Sequence, residues 1–392
     1  MRRLRILHTS EFYAPSVGGA QEVVRQLSER LAARGHEVTV ATTALPSRRE
    51  REIKGVRIAG FKVRGNMARG MEGEVEAYRA FVRDGGFDVV MNYAAQQWTT
   101  DALLDLVPEL KAATVLVPCG FSGLKEALYR SYFESMPAWL GAYGACVYLS
   151  DTYRDVRFAR EHGLTNGRLI PNGAGADEFD GPATLDARAR LGLRPDEFFV
   201  LSVGSHTSLK GHAEAAAMLD ASGLEDAALV VVGNSYGGGC TRACAWRAIA
   251  SRLRPSWMRR RLRFLNVDLE RAATVSAFRQ ADVFLFPSNV ECSPLVLFEA
   301  AAAGLPFLSS VVGNAEEIVE WTHGGEVMET AFDKQGYSHA SVSDGARRLR
   351  ALRLDAAGRR RLGEAGRSAW KERFTWERIA QDYESLYAEL AR

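Results

Sequence analysis

The chain has 392 residues, of which 47% are hydrophobic and 25% charged, and a formal net charge of +2 at pH 7. That length accommodates two domains of ordinary size, each with its own core. The balance of 50 basic against 48 acidic side chains removes any global electrostatic case for nucleic acid as a partner, and no stretch approaches the roughly 20 apolar residues that cross a bilayer. Cys119, Cys146, Cys240, Cys244 and Cys292 show no C-x2-C spacing, and an odd number without a signal peptide predicts reduced thiols in the cytoplasm. Cys240 and Cys244 share a helix face, but no histidine nearby completes a ligand set, so no metal site is expected.

From the N-terminus, LRILHT, the segment Glu22 to Arg34, EVTVATT and GVRIAGF alternate strand and helix patterns. Such alternation predicts parallel βαβ units in a doubly wound sheet, an α/β fold. Between the first strand and helix, EFYAPSVGGAQE sets Gly18 and Gly19 where backbone amides could meet an anion, or where the chain simply turns. This is not a dinucleotide fingerprint, because Glu22 and its neighbours stand where a third glycine is needed. The basic run from Arg48 to Arg64 reads as a solvated face.

FDVVMNY, TVLVP and GACVYLSD are further strands, with a helix predicted from Thr100 to Lys111. Cys119, just after TVLVP, reads as a small buried hydrophobe, while Asn92, Tyr93, Gln96 and Gln97 line another strand end. A segment rich in Gly, Ala and Asp from Gly173 to Pro182 marks a boundary. It divides the chain into domains 1–175 and 176–374, followed by a last helix over 375–392.

The alternation then restarts. FFVLSVG ends at Gly204, and Lys210 and Gly211 precede a helix, where a lysine can neutralise the charge of an anion. ALVVVGN sets Gly233 and Asn234 at the C-terminal end of a strand, where open α/β sheets bind ligands. The arginines from Arg242 to Arg263 interleave with Trp246 and Trp257, and a solvated helix with its tryptophans packed inward is favoured over a membrane or nucleic-acid face. RFLNVD is the next strand. In the last helix, Trp376, Ile379, Tyr383, Leu386, Tyr387 and Leu390 have the spacing of an amphipathic, docked face.

The most informative run is NVECSPLVLFEAAAAGLPFLSS, after the buried strand ADVFLFPS. Its order is strand, acidic loop, helix start near Leu295, acidic helix residue, with Glu291 and Glu299 in E-x7-E spacing. Unpaired N–H groups at the helix start can hold a phosphate, Glu291 can accept hydrogen bonds from sugar hydroxyls, and Glu299 can take a ribose diol. The alternative is a solvated loop acid and a paired helix acid.

ECSPLVLFEAAAAGLPFLSS with the following GNAEEIV resembles the E-x7-E region of the retaining glycosyltransferases of family 4, whose fold is GT-B. GGAQEVVRQLSERLAARGHEVTVATT is similar to that family's opening segment, and IPNG with Asp177 and Phe179 is similar to its interdomain linker. The resemblance spans nearly the whole chain. It implies two Rossmann-like domains facing across a cleft, the first for the acceptor and the second for a nucleotide-sugar donor, with the last helix docked back on the first domain. Carried over residue by residue, donor contacts fall on Gly18, Gly19, Ser205, His206, Lys210, Gly233, Asn234, Asn266, Val267, Glu291, Cys292, Ser293, Pro294, Leu295 and Glu299. Lys210 and Glu291 take the catalytic roles, and Tyr13, Asn92 and Cys119 are acceptor-side candidates.

Two positions depart from the family pattern. Cys119 stands where many relatives carry a histidine, and Ser205, with His206 beside it, stands where an arginine is usual. Either His206 substitutes as a donor or the phosphate is held with one cation fewer, and the second is favoured. The resemblance implies retaining transfer of a hexose-type sugar to a hydroxyl of a saccharide, glycolipid or natural product by front-face attack, with no metal or other cofactor and no nucleic acid. It also gives the basic run near Arg48 a second reading, as a face for an anionic acceptor or for peripheral contact at the inner face of the membrane. Two alternatives stay open, a nucleotide-sugar epimerase or hydrolase and a non-catalytic GT-B partner that binds ligand or protein.

Overall fold

The computed structural model describes residues 2–181, 185–234, 239–253, 255 and 262–392. Contacts divide the chain into two compact units, Met1–Asn172 with Trp376–Arg392, and Gly173–Thr375.

In the first unit the strands are β1 (Arg5–Thr9), β2 (Glu37–Thr43), β3 (Glu52–Ile53), β4 (Val56–Phe61), β5 (Val63–Asn66), β6 (Gly70–Gly73), β7 (Val89–Tyr93), β8 (Ala113–Val117), β9 (Ala145–Tyr148) and β10 (Gly167–Leu169). Eight of them form a sheet in the order β10-β9-β8-β7-β1-β2-β4-β3, parallel except for the short edge strand β3. β5 and β6 pair as a separate antiparallel hairpin with no forerunner in the sequence reading. The interior strands β7 and β9 are buried at every position, as strands of a parallel sheet covered on both faces are.

The helix predicted from Thr100 to Lys111 is not formed as such. A short helix, Trp98–Asp101, gives way to turns and a 3-10 segment, Val107–Glu109. Pro108 lacks the N–H that a helix interior needs and disfavours helical geometry at the residue before it.

The last helix, Trp376–Leu390, belongs to the first unit. It buries Trp376, Ile379, Tyr383, Leu386 and Tyr387. Polar contacts fix its register: Tyr387 Oη lies 3.0 Å from His8 Nε2 on β1, and Glu384 takes His36 at 2.9 Å as well as Arg34.

The second unit holds β11 (Phe198–Val203), β12 (Ala227–Val232), β13 (Leu262–Val267), β14 (Val283–Phe286), β15 (Phe307–Ser309) and β16 (Gly325–Val327) in one parallel sheet, with β17 (Thr330–Phe332) and β18 (Ser338–Ala340) as a hairpin. The order is β13-β12-β11-β14-β15-β16, so the chain reverses its direction of travel across the sheet between β11 and β14. Phe199 and Leu201 pack into one layer and Phe198 and Val200 into the other, as the two-residue period of a strand requires. Each fully buried side chain of this kind stabilises the unit by roughly 1.5–3 kcal/mol.

Candidate active site

Ligands of open α/β sheets sit beyond the carboxyl ends of the strands where the strand order reverses. In the second unit that point lies between β11 and β14, and the loops leaving both strands are joined there. Asn289 N–H donates to Leu209 O at 2.9 Å, and Ser288 Oγ lies 3.1 Å from the same carbonyl. The loop after β11 holds Ser208 at φ 67° and Gly211 at φ 67°. A Cβ on Gly211 would stand 1.9 Å from Pro287 O, so only glycine permits this approach. Backbone held in sparsely populated geometry collects at ligand sites.

This frame aims Lys210 and Glu291 at one another. Lys210 Nζ lies 2.5 Å from Glu291 Oε1, and Ser288 Oγ donates to that oxygen at 2.9 Å. The two side chains are 26% and 15% exposed, so solvent reaches both only in part. An ammonium has three N–H donors, and the pair with Glu291 uses one of them.

The helix Leu295–Ala303 follows, with Pro294 at its N-cap and no side chain capping it. Its first-turn amides are therefore suited to an anion. Cys292 O accepts from Asn314 N–H at 2.9 Å, which fixes the turn before the helix. Glu299 is buried in the helix, and its Oε1 pairs with Arg271 Nη1 at 2.6 Å, while Arg271 also grips Glu178 through two hydrogen bonds of 2.7 Å.

Residues 18–173 match the family of glycosyl transferase 4-like domains, and residues 184–368 match glycosyl transferases group 1. The chain belongs to glycosyltransferase family 4. It is a nucleotide-sugar-dependent glycosyltransferase with the GT-B fold. Among its relatives is a D-inositol 3-phosphate glycosyltransferase of Xylanimonas cellulosilytica, 26% identical over 98% of this chain and 96% of the relative. A phosphatidyl-myo-inositol mannosyltransferase of Mycobacterium tuberculosis is also 26% identical, over 95% of this chain and 94% of that protein. Among solved structures, a sucrose-phosphate synthase from Thermosynechococcus elongatus has the same fold, with a TM-score of 0.77 and 23% identity over 99% of both chains. These three are named as transferases or a synthase, and none as an epimerase, a hydrolase or a non-catalytic partner.

Other expected donor residues of this glycosyltransferase cluster at neighbouring strand ends. Gly233 N–H donates to Val267 O at 3.1 Å, and His206 N–H to Asn234 O at 3.3 Å, so these backbone groups hold loops together. Asn266 is half-buried at the end of β13, and Ser205 half-buried after β11. His206 is 3% exposed, and its Nδ1 lies 3.4 Å from Cys240 Sγ. Cys240, Cys244, His206 and His212 come together, which overturns the expectation that no histidine stands near the two cysteines. Trp246 is 70% exposed and not packed inward, while Trp257 and Arg254, Arg259, Arg260 and Arg261 lie outside the described residues.

Gly18 and Gly19 belong to the first unit, at the start of the helix Gly19–Ala33, which no side chain caps. A Cβ on Gly19 would meet nothing within 4 Å. The acceptor-side candidates need correction. Tyr13 is fully buried, and Asn92 is 1% exposed with its amide spent on Thr9 Oγ1 at 2.8 Å and Tyr143 Oη at 2.9 Å. Asn92 supports the sheet through its bond to Thr9. Cys119 is half-buried in a left-handed turn at φ 60°. Arg48 is also structural, bonding the carbonyls of Tyr13, Ala14 and Thr43, and Arg64 pairs with Glu72.

The sequence reading missed Glu11, which stands just past the end of β1, where the order of the first sheet reverses beside β7. Burial and then the nearby Asp101 raise its carboxyl above the usual range, and its N–H donates to Gln97 Oε1 at 3.2 Å. Asp101 itself is pushed up to about 6 by burial. Its position right after a strand was the available signal. Among the described residues, no helix is long and apolar enough to cross a membrane.

Proposed function

We propose that this glycosyltransferase moves a hexose-type sugar from a nucleoside diphosphate to a hydroxyl of a saccharide or glycolipid, with retention at the anomeric carbon and no metal in the transfer step. The observation that carries this reading is the Lys210–Glu291 pair at the reversal point of the second sheet, beside an uncapped helix start. Lys210 and the first-turn amides of the helix Leu295–Ala303 stabilise the charge that grows on the departing diphosphate. Glu291 orients the sugar, and Glu299 receives the ribose diol. The bond from the anomeric carbon to the diphosphate oxygen breaks as the bond to the acceptor oxygen forms on the same face, and the acceptor proton passes to the leaving phosphate. The protein acts by positioning and electrostatics.

The first unit takes the acceptor. Inositol phosphate and phosphatidylinositol are the first acceptors to assay, because two relatives are named for such compounds. The work is done in the cytoplasm, with peripheral contact at the inner face of the membrane where the acceptor is a lipid. The test is to incubate the protein with nucleotide sugars and these acceptors, adding no divalent ion, and to read the anomeric configuration of the product by NMR. Retention is expected. An inverted product, or transfer that begins only when magnesium or manganese is supplied, overturns the reading.

A further inference from the structure

His206 and His212 form an H-x5-H pair, and Cys240 and Cys244 a C-x3-C pair, spacings that metal-binding pairs commonly use. The structure joins the two pairs. His206 lies in the loop after β11, His212 opens the helix His212–Ala221, Cys240 precedes the helix Thr241–Leu253, and Cys244 lies one turn into it. One ligand atom from each of the four lies within 4.8 Å of all the others. Cys240 Sγ is 3.4 Å from Nδ1 of His206 and 3.4 Å from Nδ1 of His212. His206 and His212 are 3% exposed and Cys244 is 4% exposed.

We propose that these four residues form a tetrahedral site for one Zn²⁺ ion. Two sulfurs and two imidazole nitrogens are the donor set that selects this metal over oxygen-seeking cations such as magnesium. Charge favours it as well. The ion displaces two thiol protons to solvent, and Zn²⁺ with two thiolates and two neutral imidazoles is neutral overall, which lowers the cost of burial. Four protein ligands leave no open position, so the ion is structural and takes no part in the transfer.

The backbone is built for this convergence. Gly239 has φ +60°, and a Cβ there would stand 1.8 Å from His206 O, so the residue before Cys240 presses on the backbone of the histidine loop. That loop runs on from Gly204 to Lys210. The ion pins the loop to two helices and holds Lys210 in place, a role that rests on the donor-site reading above, whereas metal binding is measured without any sugar transfer.

The experiment is elemental analysis of the untagged, reduced protein purified without chelator, followed by replacement of the bound ion with Co²⁺. One zinc per chain is expected, with a thiolate-to-cobalt charge-transfer band and the strong visible bands of tetrahedral cobalt. Cys240→Ser with Cys244→Ser is expected to abolish both, while Cys119→Ser with Cys292→Ser leaves them unchanged. Should the first double variant not fold, reversible thiol modification of the wild-type chain must release zinc into a colorimetric indicator. Substoichiometric zinc together with no cobalt–thiolate band in reduced protein offered Co²⁺, or zinc retained by the Cys240/Cys244 variant, overturns the proposal.

Discussion

Lys210 Nζ and Glu291 Oε1 are 2.5 Å apart, on loops that leave β11 and β14 and are bonded to each other through Leu209 O. The two residues are far apart in sequence, and the parallel pairing of β11 with β14 is what brings them together. Loss of Glu291 therefore acts on chemistry more than on folding. Glu291→Gln is expected to lower kcat by about 10²-fold or more. Because the pair is partly exposed, stability should change by no more than about 1 kcal/mol. Steady-state kinetics beside a urea titration check both numbers, and an active variant would remove Glu291 from the site.

Gly211 and Gly19 make a contrasting pair. Gly211→Ala forces a Cβ to within 1.9 Å of Pro287 O at φ +67°, so it should destabilise the chain by more than about 1 kcal/mol and displace Lys210. Gly19→Ala meets open space, and its fold should be unaffected. A raised KM in Gly19→Ala, with an unchanged melting temperature, is the outcome expected if the start of that helix meets a substrate.

Arg271 carries the charge balance of Glu299. Arg271→Met leaves a carboxylate whose side chain is 8% exposed without this cation, and is expected to cost on the order of 1–3 kcal/mol. It should also raise the donor KM, because Glu299 loses the contact that orients it. Glu299→Gln keeps the volume and removes the charge. It is expected to raise the donor KM at nearly constant kcat, and denaturation with donor titrations separates the two effects.

His8 links the first strand to the last helix. Burial pushes its imidazole from 6.5 down to about 3, between Ser28 Oγ at 2.8 Å and Tyr387 Oη at 3.0 Å. A folded value below the unfolded one means that the unfolded chain binds the extra proton, so this contribution is present above pH 6.5 and is lost as pH falls toward 3. The stability of the wild type relative to His8→Gln should decline by up to about 1.4 kcal/mol per pH unit below that point. A difference independent of pH would show that His8 titrates normally.

Strands were legible wherever both faces are buried, because a parallel strand such as Ala227–Val232 is a bare apolar run bounded by turn residues. The turn and helix start at Cys292 to Leu295 were legible for a local reason: Pro294 ends one conformation and permits the next. Most of what failed was decided by distant packing. Asn92 and Tyr13 look polar and available in the sequence, yet the fold buries both. Pro108 is a local exception, because it interrupts the helix that the apolar spacing of Thr100 to Lys111 suggests. The two cysteines on one helix were seen without the two histidines, because β11 and the helix after it bring His206 and His212 back from far upstream.

The role of Lys210 in donor binding is tested most directly by calorimetric titration of UDP, GDP and ADP into the wild type and into Lys210→Ala, with melting temperatures recorded for both. One nucleotide should bind the wild type selectively, and Lys210→Ala should bind it about 10-fold or more weakly, a loss of about 1.4 kcal/mol, at an unchanged melting temperature. Equal affinity in the two proteins, or no nucleotide binding by a well-folded wild type, would contradict that role.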